Sequence, residues 1–143
     1  SFLPGHITLV FPSDVDEGAL AAEVSRVAEQ ARAVSFTLRW ARAVRDVFAG
    51  GGHVFLVPDE GFDAITALHN AHHDGALAAS KRADIPFIPH MTVGANPDFA
   101  ACERIARELT PLSRLVQGRI QTLTLLRLDG DRVHVGREWV LPG

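Results

Sequence analysis

Two four-residue strings, His6-Ile7-Thr8-Leu9 and His90-Met91-Thr92-Val93, follow one pattern 84 positions apart (90 − 6). Each runs histidine, apolar residue, threonine, apolar residue. Each follows a similar lead-in, Phe2-Leu3-Pro4-Gly5 or Phe87-Ile88-Pro89. Alternate side chains on a β-strand share a face, so each string predicts a strand with His and Thr on one side and apolar residues in a core. An imidazole beside a hydroxyl is half of a phosphate-handling site. Two copies point to a cleft with a histidine on each wall.

The remaining elements are arranged around these strings twice over. Residues 6–11 read as a strand. Asp14 and Asp16 then precede a helix in which Leu20, Val24, Val27 and Ala31 repeat at helical spacing. A strand over residues 36–40 puts Phe36, Leu38 and Trp40 on one face. Gly50-Gly51-Gly52 reads as a flexible loop, and the returning strand, 53–57, stops at Pro58. In the second half, strand 90–94 leads to Asn96-Pro97, a helix start. Phe99, Cys102, Ile105, Ala106 and Leu109 then form an apolar stripe. Strand 119–128 turns at Asp129-Gly130 into strand 132–141. A further helix, about 61–79, separates the copies. The order predicts an α+β domain with pseudo-two-fold symmetry. By that symmetry a strand and a helix are expected before Ser1. Ser1 in place of Met fits a chain trimmed at its N-terminus, with one strand fewer in the first lobe.

At 143 residues the chain reads as one domain, with a core large enough to need no staples. A formal net charge of −3 argues against coating long nucleic acid through a broad basic surface. It leaves room for one phosphate or one RNA end, which needs only a local positive pocket. Cys102 is the single cysteine, so no internal disulfide is possible, and a reducing, cytoplasmic setting is expected. No apolar run reaches the roughly 18 residues that span a bilayer, and no export leader is visible. A monomer is the default expectation.

Paired His-x-Thr-x motifs in a two-lobed repeat resemble the 2H phosphoesterase superfamily, and within it the bacterial 2′–5′ RNA ligase-like proteins. The resemblance runs through His6–Phe11, the Phe36–Trp40 strand, the glycine loop, Val54–Pro58, the helix from Phe62, and Pro89–Gly94. It implies two pseudo-symmetric lobes, about 1–58 and 59–143, each an antiparallel sheet with helices on its outer face. The histidines would face each other across a central groove, with no metal and no other cofactor. Carried over, His6 and His90 are the catalytic pair, and Thr8 and Thr92 hold the phosphate. The implied activity is hydrolysis or reversible ligation of 2′,3′-cyclic phosphate ends of RNA or of a small cyclic nucleotide. Many relatives carry a basic residue just after the second motif, whereas Gly94-Ala95-Asn96 stands here. A phosphate-neutralising arginine must come from elsewhere, with Arg39 and Arg42 as candidates, or be lacking. That departure motivates the alternative of a catalytically weak module binding nucleotides or RNA ends on the same fold.

Histidine suits such chemistry because its unperturbed pKa, about 6.5, leaves both the base and the acid form accessible near neutrality. Ring strain in a cyclic phosphate could also drive attack by a 5′-hydroxyl to give a 2′–5′ linkage. No Gly-x-x-x-x-Gly-Lys-Ser/Thr loop or nucleotidyl-transfer lysine motif is present, and hydrolysis is the safer expectation because water is always available.

Other residues admit two readings. Phe48, beside the glycines, either stacks on a base at the groove mouth or folds onto the core. His69, His72 and His73, with Asp74 adjacent, have the spacing of a divalent-metal site but equally that of a semi-buried helix edge. Lys81 and Arg82 either meet a phosphate or are solvated charge. Phe11, Trp40, Trp139 and Cys102 are expected in the core, and His53 and His134 on strand surfaces.

Overall fold

The computed structural model describes residues 5–81, 85–113 and 116–143. Phe2, Leu3 and Pro4 of the first lead-in, and Arg82, lie outside the described residues. Helix α1, Glu17–Gln30, begins where Asp16 caps it, its Oδ2 accepting a hydrogen bond from the Ala19 N–H. It buries Val24, Val27 and Ala28. Helix α2, Phe62–His72, is shorter than its apolar pattern suggested. The helix ends at His72; Gly75, where a Cβ would stand 2.8 Å from a Glu23 carboxylate oxygen, lies beyond it, and only a 3-10 turn, Ala78–Ser80, follows. Helix α3, Phe99–Ser113, carries Pro111 near its end and buries Cys102 and Ala106. No described helix is long and apolar enough to cross a membrane.

Strands β1 (Val34–Arg45), β2 (Gly52–Pro58), β3 (Met91–Asn96) and β4 (Gln117–Ile120) make an antiparallel sheet in the order β3-β2-β1-β4. A second sheet is the hairpin of β5 (Thr122–Asp129) and β6 (Arg132–Val140), turned at Gly130 with φ +62°. The α+β class and two-sheet plan agree with the sequence reading. The expected strand 119–128 is two strands, because β4 pairs with β1 and β5 with β6. The sheets also cut across the sequence halves: β3, from the second half, joins β1 and β2 from the first.

The core lies between the sheets' inner faces and the helices, with Leu38, Val54, Leu56, Ile65, Leu68, Cys102, Leu123 and Leu141 at its centre. Arg26 ties α1 to α2 by donating to the Ala71 carbonyl at 2.7 Å. Thr110 on α3 satisfies β1 where it runs past β4, accepting from the Ala41 N–H at 3.2 Å.

Four expectations about local structure are corrected. Residues 6–11 form no strand ladder; the backbone bends at Leu9-Val10. The bend breaks the two-residue alternation, and Phe11, expected in the core, is 54% exposed. Arg39 is an extra residue in β1, since Leu38 pairs with Pro58 and Trp40 with Val57. That bulge inverts the alternation, so Trp40 is 38% exposed rather than buried. The Gly50–Gly52 segment is a packed turn and not a loose loop. Gly51 has φ +70°, and a Cβ there would lie 2.6 Å from Pro97 Cα. Trp139 is half-buried against the core and donates from Nε1 to Ser25 Oγ at 2.8 Å.

Candidate active site

The second motif is built on a strand edge. Pro89 is fully buried, and Met91 pairs with Leu56 and packs on the core. Thr92 pairs with Phe55, while Gly94 pairs with Val54, leaving Val93 as an extra bulged residue. Directly opposed residues of an antiparallel pair share a face. Thr92 and Phe55 therefore point away from the core that Val54 and Leu56 enter. His90, two residues before Thr92, lies over the same face, its ring stacked on Phe55 with centroids 3.6 Å apart and planes 12° apart. His53, two residues before Phe55, extends this aromatic row at 6.2 Å.

A backbone carbonyl fixes the chemistry of His90. Its Nδ1 lies 2.6 Å from the Ile88 oxygen, which can only accept, so Nδ1 carries the hydrogen. In the neutral ring Nε2 then holds the lone pair, as a proton acceptor requires. Burial is the main cause holding the His90 pKa below its ordinary value, and charge on His53 or His6 opposes protonation further. The Ile88 hydrogen bond works in the other direction. The net effect is a histidine that stays neutral to lower pH than usual.

The first motif reaches the second without a ladder. His6 is exposed and Thr8 half-buried, while Ile7 and Leu9 pack on the core. The inward-facing alternation expected of a strand therefore survives in an irregular segment. Gly5, just before His6, abuts Met91, just after His90: a Cβ on Gly5 would stand 3.3 Å from Met91 Sδ. The electrostatic influence of His6 on His90 accords with this approach. The two motifs, far apart in sequence, meet at one place.

Cations and aromatics near this face divide clearly. Arg42 on β1 pairs with Phe55, so it shares the row Arg42–Phe55–Thr92 across three strands. Arg39, the bulged residue, instead lies 3.7 Å from Asp59 Oδ2. Phe48 is 81% exposed, so it does not fold onto the core; it stands in the turn where Asp46 Oδ1 accepts from the Phe48 and Ala49 N–H groups. The other Asp46 oxygen lies 3.0 Å from His53 Nε2. The two backbone hydrogen bonds, ahead of that to His53, hold the Asp46 pKa below its ordinary value, keeping a carboxylate beside His53. His53 and Phe55 were not singled out as functional from sequence. Their signal was available: both alternate with the buried pair Val54 and Leu56 on a strand.

The helical histidines are each tied to a backbone carbonyl. His69, His72 and His73 direct Nδ1 to the carbonyls of Leu9, Leu68 and His69 at 2.7, 2.7 and 2.6 Å. Among the described residues no group of three or more His, Cys, Asp or Glu is placed to hold a metal ion. Of the two readings of this cluster the structure shows the helix edge, with three buried, hydrogen-bonded rings. Lys81 donates to Asn70 Oδ1 at 3.2 Å.

Comparison with known proteins bears on the whole arrangement. The model of the 2′-5′ RNA ligase superfamily matches residues 1–132. No curated protein matches this chain. Among solved structures, one described as a phosphoesterase is 18% identical, with 97% of this chain and 78% of that chain covered and a TM-score of 0.54. LigT from E. coli, solved in complex with 3′-AMP, is 20% identical, with 96% and 76% covered and a TM-score of 0.54. At these identities the likeness is one of fold.

Proposed function

The chain belongs to the 2′-5′ RNA ligase superfamily, and on that premise we propose that it is a metal-independent phosphoesterase acting on 2′,3′-cyclic phosphates. The substrate is an RNA end or a small cyclic nucleotide. His90, held neutral with its lone pair on Nε2, takes a proton from the attacking water. The water oxygen bonds to phosphorus, the bond from phosphorus to the ribose 3′-oxygen breaks, and His6 supplies the proton to that oxygen. The product is a 2′-phosphate. With an RNA 5′-hydroxyl in place of water, the same displacement makes a 2′–5′ linkage.

Thr8 and Thr92 hydrogen-bond the non-bridging oxygens, acting where charge builds up in the transition state. Arg42, on the row with Phe55 and Thr92, supplies the positive charge that Gly94-Ala95-Asn96 lacks. Arg39 is less suited because Asp59 already faces it. Phe48, exposed at the end of the β1–β2 turn, offers a stacking surface for a base.

The observation carrying this reading is the meeting of Gly5 with Met91, which sets the two motifs side by side. The test is incubation of RNA bearing a 2′,3′-cyclic phosphate with the protein in excess chelator, resolving 2′- from 3′-phosphate product. Wild type should turn over, and His6→Ala and His90→Ala should each lose activity by roughly 10²- to 10⁴-fold. Retention of more than about a tenth of the activity by either variant ends the two-histidine mechanism.

The second reading, a binding module with little catalysis, is favoured by the missing basic residue after the second motif. LigT was solved with 3′-AMP, so nucleoside 2′- and 3′-monophosphates are apt probes. Tight binding of these without turnover of any cyclic substrate would support the module.

A further inference from the structure

His69 touches both motif-bearing segments at once. Its Nδ1 donates to the carbonyl of Leu9, the last residue of the first motif, at 2.7 Å. Its ring lies flat on Phe87, three residues before His90, with centroids 3.9 Å apart and planes 6° apart. It is 7% exposed, and His73 holds it from behind, Nδ1 donating to the His69 carbonyl at 2.6 Å and the two rings 4.3 Å apart. Phe87 precedes Ile88, whose carbonyl orients the His90 ring. A continuous path of contacts thus runs from the first motif, through one side chain of α2, to the catalytic tautomer of the second.

We propose that His69 is a positioning residue that sets the separation of the two histidine motifs. Helix α2 is anchored in the core through Ile65 and Leu68. It is therefore a rigid post from which one imidazole reaches both segments. The arrangement accounts for a histidine at a place where leucine would bury more apolar surface. Leucine could lie against Phe87, but it has no N–H for the Leu9 carbonyl, and the first motif has no ladder to take its place. Burial holds the His69 pKa below its ordinary value, the hydrogen bond to the Leu9 carbonyl works in the other direction, and His73, Lys81 and His72 oppose a proton as well.

The kinetic arm of the test rests on the phosphoesterase reading; the spectroscopic arm does not. His69→Phe keeps a buried ring against Phe87 and deletes the donor. His69→Asn restores an N–H close to the position of Nδ1. Expected is a fall in kcat of about tenfold or more for His69→Phe with KM changed less than about threefold, and recovery of most of that loss in His69→Asn. A kcat per folded molecule within about twofold of wild type in His69→Phe overturns the proposal, since a merely structural role moves only the folded fraction.

The second arm follows the ring nitrogens of His90 by NMR as a function of pH. Loosening its approach should admit water and raise its titration midpoint by about half a pH unit in His69→Phe, less in His69→Asn. The groups facing His90, His53 and His6, are unchanged in both variants. An unmoved midpoint overturns the proposal. If His69→Phe does not fold, the same two readings on Phe87→Leu decide, a kcat within about twofold of wild type and an unmoved His90 midpoint overturning the proposal. Should wild type turn over no cyclic phosphate, the enzymatic reading fails and the NMR arm alone judges His69.

Discussion

The two His-x-Thr-x segments share a sequence pattern but not a means of support. The second is held by backbone: β3 pairs with β2, His90 lies on Phe55, and the Ile88 carbonyl fixes its tautomer. The first has no ladder, and its neighbours hold it by side-chain contact. Ile7 and Leu9 enter the core, Gly5 abuts Met91, and the Leu9 carbonyl is gripped by His69. A repeated sequence pattern therefore does not specify repeated scaffolding. The contrast also divides the proposed labour. A ring that is half-buried, stacked and kept neutral suits the proton acceptor, whereas the exposed His6 suits a donor that must exchange its proton with water.

The largest effects should come from the histidines, and their side effects should differ. Both alanine variants lose roughly 10²- to 10⁴-fold in kcat. His90→Ala also removes a ring packed at 3.6 Å, costing about 1 kcal/mol of aromatic contact beyond burial and lowering the thermal midpoint by several degrees. His6→Ala, on an exposed side chain, should leave the midpoint within about one degree. Equal thermal shifts for the two would erase the asymmetry between the stacked and the exposed ring.

Next come the threonines. Thr8→Val and Thr92→Val keep shape and delete a hydroxyl, with an expected loss of roughly 10- to 10²-fold in kcat each and little change in KM. Thr92 sits on a fixed strand and Thr8 on an irregular segment, so Thr92→Val should show the larger loss. Single-turnover measurements with a cyclic dinucleotide end compare them directly. A larger loss at Thr8 would mean the ladder is not what preorganises the phosphate.

Acid should weaken the fold in a way the histidine environments dictate. His69, His72 and His90 all have pKa values lowered chiefly by burial. Their unfolded forms take up protons below about pH 6.5, while the folded forms resist until lower pH. The unfolded state thus binds more protons, and stability falls as pH falls. The contribution is complete above about pH 6.5 and is lost as pH drops through the lowered folded values. Thermal midpoints measured from pH 7.5 to pH 5 should decline, and less steeply in His72→Phe. A flat profile would show that these rings are not neutral and buried. The acid limb of kcat/KM should likewise fall below the ordinary histidine range, because His90 must be unprotonated to accept.

Much of the architecture was legible because local signals coincide with tertiary ones. Asp16 caps α1, Cys102 and Ala106 of the α3 stripe are buried though Ile105 is 40% exposed, Pro58 ends β2, and Asp129-Gly130 turns the hairpin. What escaped reading was set by single-residue insertions. The bulges at Arg39 and Val93 each reverse an alternation that sequence alone would continue, and the bend at Leu9-Val10 exposes Phe11. The pairing of Arg42 with Phe55 and Thr92 depends on that shifted register, so sequence could name Arg42 but not place it. The helical histidines left two readings open because spacing reports which residues share a helix face, and not where each ring nitrogen finds its partner.

The smallest expected effect probes the contact between the motifs themselves. Gly5→Ala places a methyl 3.3 Å from Met91 Sδ, tighter than ordinary van der Waals contact but against the end of a flexible side chain. Met91 can yield by a few tenths of an ångström, so the fold should lose less than about 1 kcal/mol. Met91 is the residue after His90, so the displacement is passed to the His90 ring. A fall in kcat of about two- to threefold is expected, with His90→Ala-like collapse excluded. Met91→Ala removes the obstacle at its own cost in packing. The double variant Gly5→Ala/Met91→Ala should then lose less than the sum of its parts, with a coupling of about 0.5 kcal/mol in kcat/KM. Strict additivity would mean that the motifs lie side by side without feeling each other, and that His69 is the sole mechanical link between them.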